Sequence, residues 1–429
     1  MEVSLYGFLA LFALAFLGVP LGYSMLLVGL AGFGVLRGST PALSMMAQQV
    51  YDISTNYGFT VLPLFLLMGE LIHRANLSDD LYSAGRAWLG HLRGGLAMAT
   101  IVACGGFAAV CGSSLATAAT MAKVAMPPMR RYGYSDSLGT GAIAAGGTLG
   151  IMIPPSVPLM IYGVLTETDV AKLFIAGVIP GLLLIVLFMA AIAVTTWLDP
   201  AAGPPAEAQP WAQRLRALRK IAAVVALFAA IFGGMYFGLF TPTEGAGIGA
   251  FGGFTILLVR GSWNWRVWGA ALGDTAKTTG AVFVVAMGAL VFGNFLNLAG
   301  LPDAMVGWIR SMDLSPLGVV LTICAIYLIL GCVFDSLGML LLTIPVFFPV
   351  VKSAGIDPIW FGIVVVLMIE VGLITPPVGM NVFVVKAVIP EVPTGRIFRG
   401  VWPFVGAMLL ALVLLLAFPG LAVWLPSLM

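Results

Sequence analysis

The sequence predicts an all-α polytopic membrane protein built from two inverted-topology repeats. Three observations carry that prediction: a large excess of apolar residues, a motif series that recurs at a fixed interval, and basic residues gathered on one face.

The apolar excess sets the solvent. Of 429 residues, 61% are hydrophobic and only 9% are charged, whereas soluble domains carry about 25% charge. A soluble core cannot absorb that much apolar surface. Runs such as 179–196 and 402–423 approach the roughly 20 residues a helix needs to cross about 30 Å of hydrocarbon. No Lys or Arg precedes the first apolar run, so no cleavable signal peptide is expected. Cys104, Cys111, Cys324 and Cys332 all lie in apolar stretches and read as small packing residues, not as a disulfide or zinc framework. The formal charge of +2 gives no reason to expect nucleic acid as a partner.

The recurring motifs define the architecture. Pro154-Pro155 follows Gly-Ile-Met-Ile, and Pro376-Pro377 follows Gly-Leu-Ile-Thr; their offset is 376 − 154 = 222. The same offset of 222 relates Gly150 to Gly372, Ser114 to Ser336, Pro127 to Pro349 and Pro20 to Pro242. With one added residue, Gly177 and Pro180 match Gly400 and Pro403. Shared offset and shared order mark an internal duplication. The halves are read as 1–198 and 221–429, joined by a polar linker at 199–220 rich in Pro, Gly, Arg and Lys.

Apolar spans are expected at 4–19, 21–36, 56–73 and 173–198 in the first half, and at 221–240, 244–259, 279–299 and 400–426 in the second. A broken helix is expected at 137–163 and another at 358–389. The stretches 94–128 and 316–350 are apolar but interrupted, and read as re-entrant hairpins. Five crossings per half is an odd number, which sets the halves in opposite orientations. One face then collects Arg74, Arg86, Arg93, Arg130, Arg131, Arg214, Arg216, Arg219, Lys220, Arg260, Arg266, Lys277, Arg396 and Arg399. The other holds only Arg37, Lys172, Arg310 and Lys352. By the positive-inside rule the first face is cytoplasmic. The expectation is ten crossings, two hairpins, a cytoplasmic linker and periplasmic termini.

Backbone that leaves helical geometry inside hydrocarbon must be satisfied by protein or by a wet cavity. The hairpin tips fall at Gly112-Ser113-Ser114 and Asp335-Ser336, and the broken helices part at Pro154-Pro155-Ser156 and Thr375-Pro376-Pro377. Proline frees carbonyls, while Ser and Thr add hydroxyl oxygens, so these places offer hard oxygen ligands to an alkali cation. Half-helix N-termini beside them suit a carboxylate. One proline kink alone is a structural feature; two matched pairs point to cation-coupled anion transport. Of the intramembrane acids, Glu244 and Glu370 read as structural and Glu70 as interfacial, while Asp335 is open between counter-charge and ligand. His73 and His91 lack HExxH spacing, and neither GxSxG nor a Walker sequence occurs, so enzymatic chemistry is not expected.

At these residues the chain resembles a known family. Gly112-Ser-Ser-Leu-Ala-Thr-Ala-Ala-Thr-Met, Met126-Pro-Pro-Met-Arg-Arg-Tyr-Gly-Tyr, Gly147-Thr-Leu-Gly-Ile-Met-Ile-Pro-Pro-Ser, Phe334-Asp-Ser and Ile374-Thr-Pro-Pro-Val-Gly-Met-Asn are similar to the DctM-like large membrane subunit of TRAP (tripartite ATP-independent periplasmic) transporters. The resemblance implies sodium-coupled import of a carboxylate solute across the bacterial inner membrane by an elevator mechanism, with transport and scaffold domains. It implies Na+ as coupling ion and no organic cofactor. It also implies two partners: a periplasmic binding protein and a small four-helix membrane subunit, expected here as a separate chain. Sodium ligands would come from Gly112, Ser113, Ser114, Thr117, Asp335, Ser336, Gly338 and Thr375. Solute contacts would come from Ser113, Ser114, Pro154, Pro155, Ser156, Pro376, Pro377 and Asn381. A stand-alone carrier of the same superfamily and a non-translocating structural subunit are the alternatives.

Overall fold

The protein is described from a computed structural model that covers residues 2–261, 264–311, 314–331 and 334–429, with the side chains of residues 309 and 310 left aside. The Cys332 packing expectation and the Arg310 side chain lie outside the described residues. Among the described residues the chain is helical, with no strand.

The first half opens with α1 (Glu2–Phe16), α2 (Leu21–Arg37), α3 (Ser39–Thr55), α4 (Val61–Arg74) and α5 (Leu77–Leu89). The first interrupted stretch follows as α6 (Gly95–Cys111) and α7 (Ser114–Arg131). Then come α8 (Asp136–Met152) and α9 (Val157–Thr166), parted at the two prolines, and the long α10 (Val170–Leu198). The second half holds α11 (Trp211–Tyr236), α12 (Pro242–Val259), α13 (Trp265–Leu298) and α14 (Leu301–Ser311). It continues with α15 (Pro316–Gly331), α16 (Ser336–Ser353), α17 (Pro358–Ile374) and α18 (Met380–Val388), and ends with α19 (Thr394–Ala417) and the single-turn α20 (Gly420–Val423).

Helix boundaries recur at the motif interval. α7 begins at 114 and α16 at 336; α8 ends at 152 and α17 at 374; each difference is 222 residues. Both Pro-Pro bonds, at 154–155 and 376–377, are cis. One matched pair diverges. In the first half α3 and the Tyr57–Arg74 segment meet at a 55° bend, where the Asn56 side chain accepts from the Gly58 amide at 2.8 Å. The residue 222 positions later is Thr278, inside the continuous 34-residue α13.

Three helices are absent from the reading of spans: α3, α5 and α14. All are amphipathic, with α5 carrying Asp79, Asp80 and Arg86, so an apolar-run criterion passes over them. Helix α11 starts at Trp211, inside the stretch read as linker, because Arg214, Arg216, Arg219 and Lys220 stand on helical backbone. Trp211 anchors that turn edge-on against Trp88, with ring centroids 5.8 Å apart. The preceding loop folds back on the first half. Gly94 N–H donates to Gly203 O at 2.8 Å, Ser135 N–H to Ala202 O at 2.9 Å, and Ala206 N–H to Gly90 O at 2.8 Å.

Among the described residues, five helical stretches are able by length and composition to cross a membrane, or six counting the bent pair. Ser336–Ser353, read from sequence as one arm of a hairpin, is among the five, since length and apolarity do not distinguish an arm from a crossing. α1, α2, α6, α15 and α17 are apolar but have 15–17 residues, short of the roughly 20 that a perpendicular crossing takes.

Two groups of helices pack closely within themselves. α13 lies along α2 and α4, and α12 along α4; a Cβ at Gly288 would strike the Gly22 carbonyl. α8 lies against α6, α7 and α19; a Cβ at Gly400 would strike the Ser137 carbonyl. Small residues let apolar helices approach to backbone contact where no hydrophobic effect drives them together. Gly400→Val is therefore expected to cost about 1–3 kcal/mol of overpacking, read as a lowered apparent Tm of the purified protein. Gly406→Val, on the same helix with nothing within 4 Å of its Cβ position, should leave Tm nearly unchanged. Equal effects at both positions would contradict the close α8–α19 seam.

Candidate functional site

The two interrupted stretches end in capped half-helices. Gly112 turns the chain at φ +59°, and the Ser113 Oγ then accepts from Ala116 N–H at 3.4 Å as N-cap of α7. At the equivalent position Asp335 caps α16, its Oδ2 accepting from Leu337 N–H at 3.3 Å. Ser156 caps α9, accepting from Leu159 N–H at 3.3 Å, and its hydroxyl donates to the Ile151 carbonyl freed by the break. Each cap satisfies one of the amides that a helix N-terminus leaves open.

A cavity of about 140 Å³ brings the tips together. It is lined by Gly112, Ser113, Ser114 and Leu115 from the first tip and by Asp335, Ser336 and Leu337 from the second. Ile151, Val157 and Pro158 come from one broken helix, Leu373 and Met380 from the other. The opposite wall is Leu66 of α4 with Thr278 and Val282 of α13. Among the described residues, Asp335 is the only charged one in the lining.

Of the residues singled out from sequence, Gly112, Ser113, Ser114, Asp335 and Ser336 line this cavity. Thr117, Pro154, Pro155, Ser156, Gly338, Thr375, Pro376, Pro377 and Asn381 do not. Several of these hold the tips in place. The Thr117 hydroxyl donates to the Ser113 carbonyl at 2.8 Å. Gly112 sits where a Cβ would come within 3.1 Å of the Pro155 carbonyl oxygen, so the first tip rests on the first break. The Thr375 hydroxyl donates to Val371 O at 2.6 Å, recovering a carbonyl at the end of α17. Pro377 is exposed, unlike the buried Pro154 and Pro155.

Asn381 is fully buried and joins three segments. Its Oδ1 accepts from the Ser114 hydroxyl at 2.8 Å, and its Nδ2 donates to Ala144 O at 3.0 Å. It thereby ties the first tip to both broken helices, across 267 residues in one direction and 237 in the other. The residue at the matching place in the first half is Leu159, so this bridge occurs once.

The remaining acids separate. Glu244 completes a capping box with Thr241 at the start of α12, its carboxylate accepting from Thr241 N–H at 2.7 Å. Glu370 is fully buried on α17, with the Met152 backbone beside its carboxyl group. Glu70 pairs with Arg74 at 3.4 Å. Cys104 and Cys324 are buried free thiols, Cys111 is half-buried and free, and no group of three or more His, Cys, Asp or Glu fit to hold a metal occurs among the described residues. Sequence reading missed Leu66, Thr278 and Val282, because an apolar or Thr position within a span carries no signal of what it faces.

Paired half-helices with capped tips meeting at one cavity, within an all-helical apolar chain, define a membrane permease. Residues 8–421 match the family described as the tripartite ATP-independent periplasmic transporter, DctM component. The chain is 36% identical over 403 residues to the C4-dicarboxylate TRAP transporter large permease of Pseudomonas aeruginosa, covering 93% of each chain. It is 33% identical to the ectoine/5-hydroxyectoine large permease of Ruegeria pomeroyi, covering 98% of each. With the sialic acid large permease of Vibrio cholerae it shares 32% identity, over 99% of this chain and 98% of that one. Two solved transporters share the fold: YdaH of Alcanivorax borkumensis, at TM-score 0.66 and 17% identity over 89% of each chain, and MtrF of Neisseria gonorrhoeae, at TM-score 0.62 and 12% identity over 89% of this chain and 84% of that one. The chain belongs to the DctM family: it is the large permease of a TRAP transporter, a multi-pass inner-membrane protein. The family works with a small membrane subunit and a periplasmic binding protein, and its members are transporters rather than enzymes.

Asn381→Leu keeps the volume but leaves the buried Ser114 hydroxyl without its partner, a cost of about 1–3 kcal/mol, and removes the second bond on the Ala144 carbonyl, which keeps its place in the α8 ladder. A clear fall in Tm of purified protein is expected, with Thr375→Val affected less because only one bond within its own helix is lost. An unchanged Tm for Asn381→Leu would contradict the bridge.

Proposed function

We propose that this permease imports an organic acid, delivered by a periplasmic binding protein, in symport with sodium. The observation that carries the reading is the cavity at which both hairpin tips meet, walled on the far side by α4 and α13. Its polar groups are Ser113, Ser114, Ser336, Thr278 and Asp335. Hydroxyl and carbonyl oxygens with one carboxylate suit a weakly held alkali cation, and the amide-bearing starts of α7 and α16 suit a solute carboxylate. Neither Lys nor Arg lines the cavity, which favours a cation brought in as co-substrate to balance the anion. The relatives named for C4-dicarboxylates and sialic acid carry carboxylate solutes.

In this reading the halves 1–198 and 221–429 are inverted repeats with ten crossings and two hairpins. α6–α10 and α15–α19 form the moving transport domain, and α2, α4, α12 and α13 form the scaffold. Support comes from the glycine seams inside each group and the cavity between them. Ser113, Ser114, Asp335 and Ser336 are the primary sodium and solute candidates; Thr117, Asn381 and Thr375 hold the tips in register.

Uptake of a radiolabelled acid by proteoliposomes carrying the permease, its small subunit and its binding protein tests this. Uptake should require an inward sodium gradient, and Ser113→Ala or Ser336→Ala should raise the half-saturating sodium concentration about tenfold, the value of one lost contact of roughly 1.4 kcal/mol. Asp335→Asn should do so at least as strongly. Undiminished uptake in potassium alone, or without the binding protein, would overturn the reading.

A further inference from the structure

A second cavity, of about 190 Å³, adjoins the first and shares Leu66, Ser113 and Thr278 with it. It is displaced along α4 from Leu66 to Glu70 and His73, and along α13 from Thr278 to Thr275. On α7 it runs from Ser113 towards Thr120. All three displacements lead away from the tips, towards the end of the molecule where Arg74, Asp274 and Lys277 stand. That end is the one the basic residues mark as cytoplasmic.

The chemistry of this cavity is one-sided. Glu70 is the only charged side chain in its lining. Arg74 does not line it, and is shared between Glu70 at 3.4 Å and Asp274 at 2.5 Å. Lys277 reaches Asp274 only at 4.0 Å and is 83% exposed, so solvent screens it. Thr275 lines the cavity, is only 7% exposed, and its hydroxyl has no hydrogen-bond partner among the described residues. The Nδ1 of His73 is likewise unpartnered. A buried hydroxyl without a partner costs about 1–3 kcal/mol, a cost that a water or an ion in the cavity beside it would recover. The volume exceeds several times the roughly 30 Å³ of one water, enough for a cation with part of its hydration shell. A solute carboxylate would meet Glu70 with no basic side chain in the lining to offset it.

We propose that this second cavity is a waiting site for a partly hydrated monovalent cation on the cytoplasmic side of the hairpin tips, held by the Glu70 carboxylate and the Thr275 hydroxyl. The site gives the coupling ion a route separate from the anionic solute, and in that respect it rests on the sodium reading above. Glu70 and Thr275 stand on α4 and α13, the wall assigned to the scaffold in the proposed cycle, whereas Ser113 and Thr120 stand on the hairpin. The cation leaving the tip is thus passed to a fixed acceptor.

Thiol labelling tests the site without transport. Thr275→Cys in the full-length permease in lipid nanodiscs is exposed to a cationic aminoethyl or an anionic sulfonatoethyl methanethiosulfonate. Modification at residue 275 is followed by mass spectrometry, and rates are normalised to free cysteine. The cationic reagent should react at least about tenfold faster, the lower end of what a focused charge does to local counter-ion concentration. Glu70→Gln should reduce that preference to within about threefold, and sodium replacing choline at equal ionic strength should slow the cationic reagent. Thr278→Cys, which faces both cavities, provides the same readout if Thr275→Cys does not fold. Equal rates for the two reagents, a preference untouched by Glu70→Gln, no effect of sodium, or no labelling at either position would overturn the proposal. Sodium-independent uptake beside an intact labelling preference would count against the proposed function alone, while sodium-driven uptake with no preference would remove only this site.

Discussion

The structure depends on one constraint: a helix broken inside hydrocarbon must find partners for the backbone groups the break sets free. This chain interrupts its apolar path at four matched places and meets the constraint with side chains from the sequence around each break. Ser113, Asp335 and Ser156 take up amides at the new helix starts. Thr117, Ser156 and Thr375 donate to carbonyls nearby. Asn381 then fastens the first tip to both broken helices at once. Because these demands are met within the protein, the half-helix starts face a cavity instead of lipid. A site of oriented amides and hydroxyls follows from the same arrangement that makes the breaks tolerable.

The asymmetry between the halves matters as much as their likeness. The first tip is fastened by Asn381, whereas the equivalent place near the second tip, by the repeat interval, is the apolar Leu159. The first tip has Ser113 at its cap and the second has Asp335, so the only formal charge in the shared cavity comes from one half. The segment between α3 and α4 bends at Asn56, while its counterpart Thr278 lies inside the continuous α13 and lines both cavities. The two halves thus differ in chemistry at positions the motif interval matches.

Much of this was legible in the sequence, and for identifiable reasons. Prolines and small polar residues inside apolar runs are costly unless used, so Pro154-Pro155, Pro376-Pro377 and the Gly112-Ser113-Ser114 and Asp335-Ser336 tips stood out. The helix limits at 114, 152, 336 and 374 follow from them. Amphipathic α3, α5 and α14 escaped because their pattern is not a run, and the start of α11 was hidden by its arginines. The far wall escaped for another reason: Leu66 and Val282 look like any lipid-facing residue until the fold shows what lies opposite. Asn381 was marked as a solute contact by its place in a motif. Its bonds to Ser114 and Ala144 join residues more than 200 positions apart, which spacing does not encode.

In the proposed transport cycle the tips and broken helices move together past α4 and α13. That movement is tested most directly by single-molecule distance measurement in nanodiscs, with one label at exposed Val186 on α10 and the other at exposed Phe251 on α12. Two distances that interconvert, with populations that shift with sodium and solute, are expected for this pair, while a control pair at Val186 and Val413, on α10 and α19, keeps one distance. A single unchanging distance between Val186 and Phe251 in a preparation active for uptake would contradict it.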